Sequence, residues 1–72
     1  MSIYVYNPIN IKIIRTKYNL TNNDLARILG KHLNTIIKYN NGTFKLSAEQ
    51  IAIICNAVHG VTPIDFFDVI DK

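Results

Sequence analysis

Tryptophan is absent from the 72 residues, and there are only one cysteine, two prolines and three glycines. With Cys55 alone, no intramolecular disulfide can form and a cysteine-based zinc site lacks its ligands. No apolar run approaches the roughly 18 residues of a membrane span. No basic stretch followed by an apolar one marks a signal peptide at the N-terminus. These gaps point to a reduced, cytoplasmic protein without a membrane partner. Hydrophobic residues make up 49% and charged residues 18%, which excludes a disordered tail. The length suits one domain over 1–72, and a chain so short buries only about 60% of its unfolded surface.

The charge that is present is uneven. Residues 1–47 carry Lys12, Arg15, Lys17, Arg27, Lys31, Lys38 and Lys45 against Asp24 alone, a net of +6. Residues 48–72 carry Glu49, Asp65, Asp68 and Asp71 against Lys72, a net of −3. A basic front and an acidic back suit a protein that turns one face to a polyanion. Ordinary surface charge produces the same count, so both readings stay open.

Start and stop signals divide the chain. Ile3-Tyr4-Val5-Tyr6 is β-branched and aromatic and reads as a short strand or arm. Asn7-Pro8 opens a helix over roughly 8–18 with Ile11, Ile14 and Tyr18 inward, and Asn19 can end it in the left-handed conformation. Thr21 to Asp24 is a capping-box variant for a second helix with Leu25, Ala26 and Leu29 on one face, closed by Gly30. A third helix starts near His32, turns Ile36 and Tyr39 inward and stops at Asn41-Gly42. Ser47 to Gln50 opens a fourth, with Ile51, Ile54, Cys55 and Val58 inward and His59-Gly60 as its stop. Thr62-Pro63 caps a fifth short helix through Ile64 and Phe67. The expected class is all-α, with five helices and nothing larger than a terminal strand beside them.

The second and third helices meet across Gly30-Lys31-His32, and the small Ala26 lets them cross closely, which is helix-turn-helix geometry over about 21–41. Any small bundle with a tight turn shares those features. The fuller pattern is Arg15, Leu20-Thr21, Leu25-Ala26, Leu29-Gly30, Ile36, Gly42, Ile51, Ile54 and Ala57-Val58, then Val61-Thr62-Pro63 and Asp65-Phe66-Phe67. With it, the segment from Ile11 to Phe67 resembles the Cro/C1-type (XRE-like) helix-turn-helix family of phage repressors and Cro proteins.

The resemblance implies a compact five-helix, lambda-repressor-like domain that binds double-stranded DNA. It implies a contact set of Asn22, Lys31, His32, Leu33, Asn34, Thr35, Lys38, Asn41, Thr43 and Lys45. Asn22 would hold phosphate, and Asn41 with Thr43 would do the same from the next loop. Asn34 suits an adenine edge, Lys38 a guanine and Leu33 a thymine methyl. The family pattern is broken at several positions. Leu33 and Ile37 lie four apart on the outward face of the third helix, where polar residues are usual, and an apolar pair there suits a protein groove. Lys31 stands where the turn is usually apolar. Asn40 stands where a glutamate would pair with Arg15.

Two functions follow as expectations. One is a phage-type transcriptional regulator that binds operator DNA in a lysis/lysogeny-like switch, with a homodimer as its candidate form. The other is a modulator of repression, or antirepressor, that grips a phage repressor's DNA-binding domain through Leu33, Ile37 and Lys38. The short length argues against a full-length repressor under either. No enzyme is expected, since His32, His59 and Cys55 are scattered and no Ser/His/Asp group or carboxylate pair shares a face. His59 before Gly60 suits a helix-end cation, and Cys55 a packed small hydrophobe. No cofactor or metal is implied.

Overall fold

The computed structural model describes residues 1–71. Lys72, counted above as the cation of the acidic back, lies outside them. The order is β1 (Ser2–Tyr6), α1 (Ile9–Lys17), α2 (Asn22–Leu29), α3 (Leu33–Asn40), α4 (Ala48–Ala57), a one-turn 3-10 helix (Pro63–Phe66) and β2 (Phe67–Asp71).

Local chemistry sets the four helix boundaries. The Asn7 side chain accepts from Ile9 N–H at 3.1 Å, so α1 begins one residue after Pro8. Asn19 ends it at φ 56°, the left-handed region its short polar side chain tolerates. Thr21 and Asp24 exchange hydrogen bonds at α2, with Thr21 N–H donating to the carboxylate at 2.8 Å. That backbone donor holds the Asp24 carboxyl below its ordinary value. Ser47 and Gln50 repeat the box at α4. At Gly30, Lys31 N–H reaches Ala26 C=O at 2.9 Å and Gly30 N–H reaches Arg27 C=O at 3.4 Å. This is the Schellman closure, and it needs the φ of 65° found at Gly30.

The C-terminus corrects the five-helix expectation. The Thr62–Asp65 box forms, but it supports one 3-10 turn that stops at Phe66. Phe67 is already extended at φ −121° and ψ 144° and begins β2, which pairs antiparallel with β1 from Ser2↔Asp71 to Tyr6↔Phe67. The aromatic and β-branched run Phe67 to Ile70 prefers a pleated surface, and its partner lies at the other end of the chain. The fold is therefore four α-helices with a small terminal two-stranded ribbon.

The core is one cluster of Ile11, Ile14, Leu25, Ile36, Tyr39, Leu46, Ile51, Ile54, Val61 and Phe66. Cys55 is half-buried against it, and burial pushes its thiol up. All four helices contribute, and α2 packs on both α3 and α4. Gln50 Nε2 donates to the Tyr39 hydroxyl at 2.7 Å, satisfying the polar end of a buried ring. At the root of the ribbon, Asp68 accepts from Asn7 Nδ2 at 2.8 Å and from the buried Asn10 Nδ2 at 3.1 Å. The Tyr6 hydroxyl accepts from Leu46 N–H at 3.3 Å, and Tyr6 meets Phe67 edge-on at 6.0 Å.

Two outcomes test this frame. Space around a Cβ at Gly30 is open, so the cost of a side chain there is backbone strain alone. Gly30→Val should lower stability by about 1–2 kcal/mol in a thermal melt. The Asn7 and Asn10 amides hold the Asp68 carboxyl below its ordinary 3.8. A depressed carboxylate stabilises the fold above its unfolded value and loses that contribution as pH falls through the folded one. The melting temperature should therefore fall as pH drops below 4, with a shallower fall in Asp68→Asn.

Candidate nucleic-acid interface

α3 is held by its inner face. Ile36 is 1% exposed and Tyr39 is 8% exposed, so both are locked in the core. Residues three and four apart share a side of a helix, and Leu33, Asn34, Ile37 and Lys38 are all left outside. His32 caps the helix through its backbone: its carbonyl accepts from Thr35 N–H at 3.0 Å and Ile36 N–H at 3.2 Å, while its side chain makes no capping bond.

Most residues of the expected contact set gather around this helix. Lys31 and His32 are exposed in the turn before it, and Asn41, Thr43 and Lys45 are exposed in the loop after it. Asn41 Oδ1 accepts from Thr43 N–H at 2.9 Å and Thr43 Oγ1 at 2.6 Å, an Asx turn that fixes the loop beside the helix. Gly42 at φ 85° completes that turn with Pro8 pressed against it, 3.2 Å from where a Cβ would stand. Lys38 Nζ lies 5.1 Å from the centre of the Phe44 ring, and Lys45 Nζ 5.2 Å from that of Tyr6. Both cations are thus placed over aromatic faces at the edge of the surface.

Two expected contacts sit less openly. Thr35 is half-buried on the flank of α3. Asn22 is half-buried too, and its Oδ1 accepts from Asn40 Nδ2 at 3.0 Å, which ties the start of α2 to the end of α3 and turns the Asn22 amide NH2 to donor work. Asn40 Nδ2 also donates to the Ile36 carbonyl at 2.8 Å. Among the described residues, buried Asn40 Oδ1 and buried Arg15 Nε have no hydrogen-bond partner. An acceptor and a donor are orphaned at the two positions that the family pattern joins by an ion pair.

Phe44 is the residue that sequence reasoning missed. It is 43% exposed, meets Tyr39 edge-on at 6.0 Å and carries the Lys38 ammonium over its ring, while Leu33 (40%) and Ile37 (44%) are exposed on α3. Its signal was an aromatic set between basic residues, Lys38 and Lys45, just past a glycine turn. Arg27 stays out of the surface in an exposed pair with Asp24 at 2.6 Å, of the kind that contributes little.

The family model for helix-turn-helix proteins matches residues 11–66, which holds α2, α3, α4, the 3-10 turn and all of α1 but its first two residues. The chain belongs to the XRE-like helix-turn-helix family. Within the family it is similar to Antitoxin PezA of Streptococcus pneumoniae serotype 4 (strain ATCC BAA-334 / TIGR4), with 46% identity over 46 residues. That match covers 64% of this chain and 29% of the relative, so this XRE-like domain spans less than a third of the relative's length. No solved structure matches it. Among the described residues no three His, Cys, Asp or Glu side chains come together to hold a metal ion, and no helix is long and apolar enough to cross a membrane.

Replacing Asn40 tests the two bonds it makes. Asn40→Ala removes the Nδ2 donor that Asn22 Oδ1 and the Ile36 carbonyl share and should lower stability by about 1–2 kcal/mol in a thermal melt.

Proposed function

We propose that this XRE-like domain is a transcriptional regulator that places α3 in the major groove of operator DNA. The observation that carries the reading is the alignment of Asn34 and Lys38 on the outward face of α3 beside the Asn41–Thr43 turn. Asn34 presents an amide suited to an adenine edge and Lys38 an ammonium suited to guanine O6 and N7, while Leu33 packs on a thymine methyl. Asn22, Lys31, His32, Asn41, Thr43 and Lys45 surround them with donors and charge for the flanking phosphates, and half-buried Thr35 supports the flank of the helix. The setting is a compact genetic switch of the lysis/lysogeny kind. The likeness to a protein named an antitoxin makes a toxin–antitoxin module a second setting for the same operator-binding step.

A second reading is favoured by the exposed trio Leu33, Ile37 and Phe44. An apolar patch of this kind suits a protein groove, and an antirepressor would use it, with Lys38, to cover the DNA-binding domain of a phage repressor. The two readings share one face, so mutations on it separate them.

The test is fluorescence anisotropy on labelled duplex DNA from the intergenic region beside the coding sequence. Affinity should fall with salt at a slope of roughly −4, about −0.9 for each neutralised phosphate. Lys38→Ala should cost about 1–3 kcal/mol and relax base preference. Unchanged binding by Lys38→Ala removes α3 from the groove. Leu33→Asp with Ile37→Asp should abolish pull-down of a co-expressed repressor under the second reading, whereas under the first the wild-type protein captures none.

A further inference from the structure

Lys38 is the longest and most flexible of the outward side chains on α3. Its ammonium is a point charge on a four-carbon stem, and an unheld stem samples many rotamers. A cation that wanders meets phosphate as readily as a guanine edge, so base preference requires something to hold it. A neighbouring carboxylate would do so. α3 carries none, and among the described residues no carboxylate pairs with Lys38.

Phe44 supplies the hold instead. The Lys38 ammonium nitrogen lies 5.1 Å from the centre of the Phe44 ring, inside the roughly 6 Å over which a ring face attracts a cation. Phe44 N–H also donates to the Lys38 carbonyl at 3.1 Å. The two residues are therefore joined at the backbone and again at the side chains. The loop between them is set, with Gly42 left-handed at φ 85° and Thr43 N–H bound to Asn41 Oδ1. The ring is anchored from behind, since it meets Tyr39 edge-on at 6.0 Å and Tyr39 is locked in the core. Tyr39, Phe44 and Lys38 thus form one line from the interior to the outward side of α3.

We propose that Phe44 is a specificity-determining positioning residue, whose ring sets the direction of the Lys38 ammonium and through it the base preference of α3. The inference rests on the DNA reading of α3 and adds to it a residue outside the recognition helix. An ammonium held on a ring face keeps N–H donors turned away from the ring, available to guanine O6 and N7. Confining the stem beforehand also reduces the rotamer freedom that Lys38 loses on binding. Phe44 needs no contact with DNA for either effect. An aliphatic side chain at this position still packs on Tyr39 but presents no π face.

Two measurements on the full chain test it. In NMR of the free protein, the ring current of Phe44 should shift the Lys38 Cε protons upfield, and Phe44→Leu should return them to the random-coil position. In fluorescence anisotropy, base preference is read from a labelled intergenic duplex and a panel of its single base-pair replacements. At the G·C pair most sensitive to Lys38→Ala, Phe44→Leu should reduce the preference about two- to fivefold. Phe44→Tyr keeps the face and should restore it. In a Lys38→Ala background Phe44→Leu should reduce the preference no further, an outcome that general loosening of the loop does not give. Helical circular dichroism checks the fold, and Phe44→Met takes the place of Phe44→Leu if that variant unfolds. Lys38 protons at the random-coil position in the wild type, wild-type preference in the folded ring-less variant, or an equal loss in the Lys38→Ala background would overturn the inference and leave the DNA reading standing. A wild type that binds no duplex, or a panel without a position sensitive to Lys38→Ala, would overturn the DNA reading of α3 and this inference with it.

Discussion

Burial of Ile36 and Tyr39 is the constraint on which the rest of the molecule depends. In an eight-residue helix, committing two side chains to the core settles where the other six point. Leu33, Asn34, Ile37 and Lys38 are outside because Ile36 and Tyr39 are inside. Tyr39 tightens the arrangement, since its ring meets Phe44 and its hydroxyl takes a hydrogen bond from Gln50 of α4. The orientation of α3 is thus a property of the core, and the proposed DNA-binding surface is its reverse side.

The loop after α3 connects that surface to the ribbon. Pro8 lies against Gly42, Leu46 N–H donates to the Tyr6 hydroxyl, and Lys45 stands over the Tyr6 ring. The chain ends are tied in turn by Asp68 to the two asparagines of the first turn. Polar groups with several partners hold these junctions, while the apolar cluster holds the helices. Arg15 Nε of α1 and Asn40 Oδ1 of α3 are buried without a hydrogen-bond partner among the described residues, while Asn40 Nδ2 is bound to Asn22 and links α3 with α2.

The four α-helices were legible because each carries its signals within a few residues. The boxes at Thr21 and Ser47, the left-handed stops at Asn19 and Gly30, and the inward spacing of Ile11, Ile14, Leu25, Ile36, Tyr39, Ile51 and Ile54 all appear in the fold. β2 was not legible. The Thr62–Asp65 box is a true helix signal, and what cuts it short is a strand partner more than sixty residues away that no local pattern reveals. The outward face of α3 could be read from its period, but Phe44 could not, because a loop residue has no period to place it. The half-burial of Thr35 and Asn22 depends on neighbours from other elements and was likewise invisible.

Backbone amide shifts followed by NMR, as duplex intergenic DNA is added at low and at moderate salt, report whether the outward face of α3 and its flanking loop meet DNA as proposed. The largest changes should fall on Leu33, Asn34, Ile37 and Lys38, with smaller, salt-sensitive changes at Asn22, Lys31, Asn41, Thr43 and Lys45. Changes centred on the ribbon or on the outer face of α1, with α3 unmoved, would contradict the proposal.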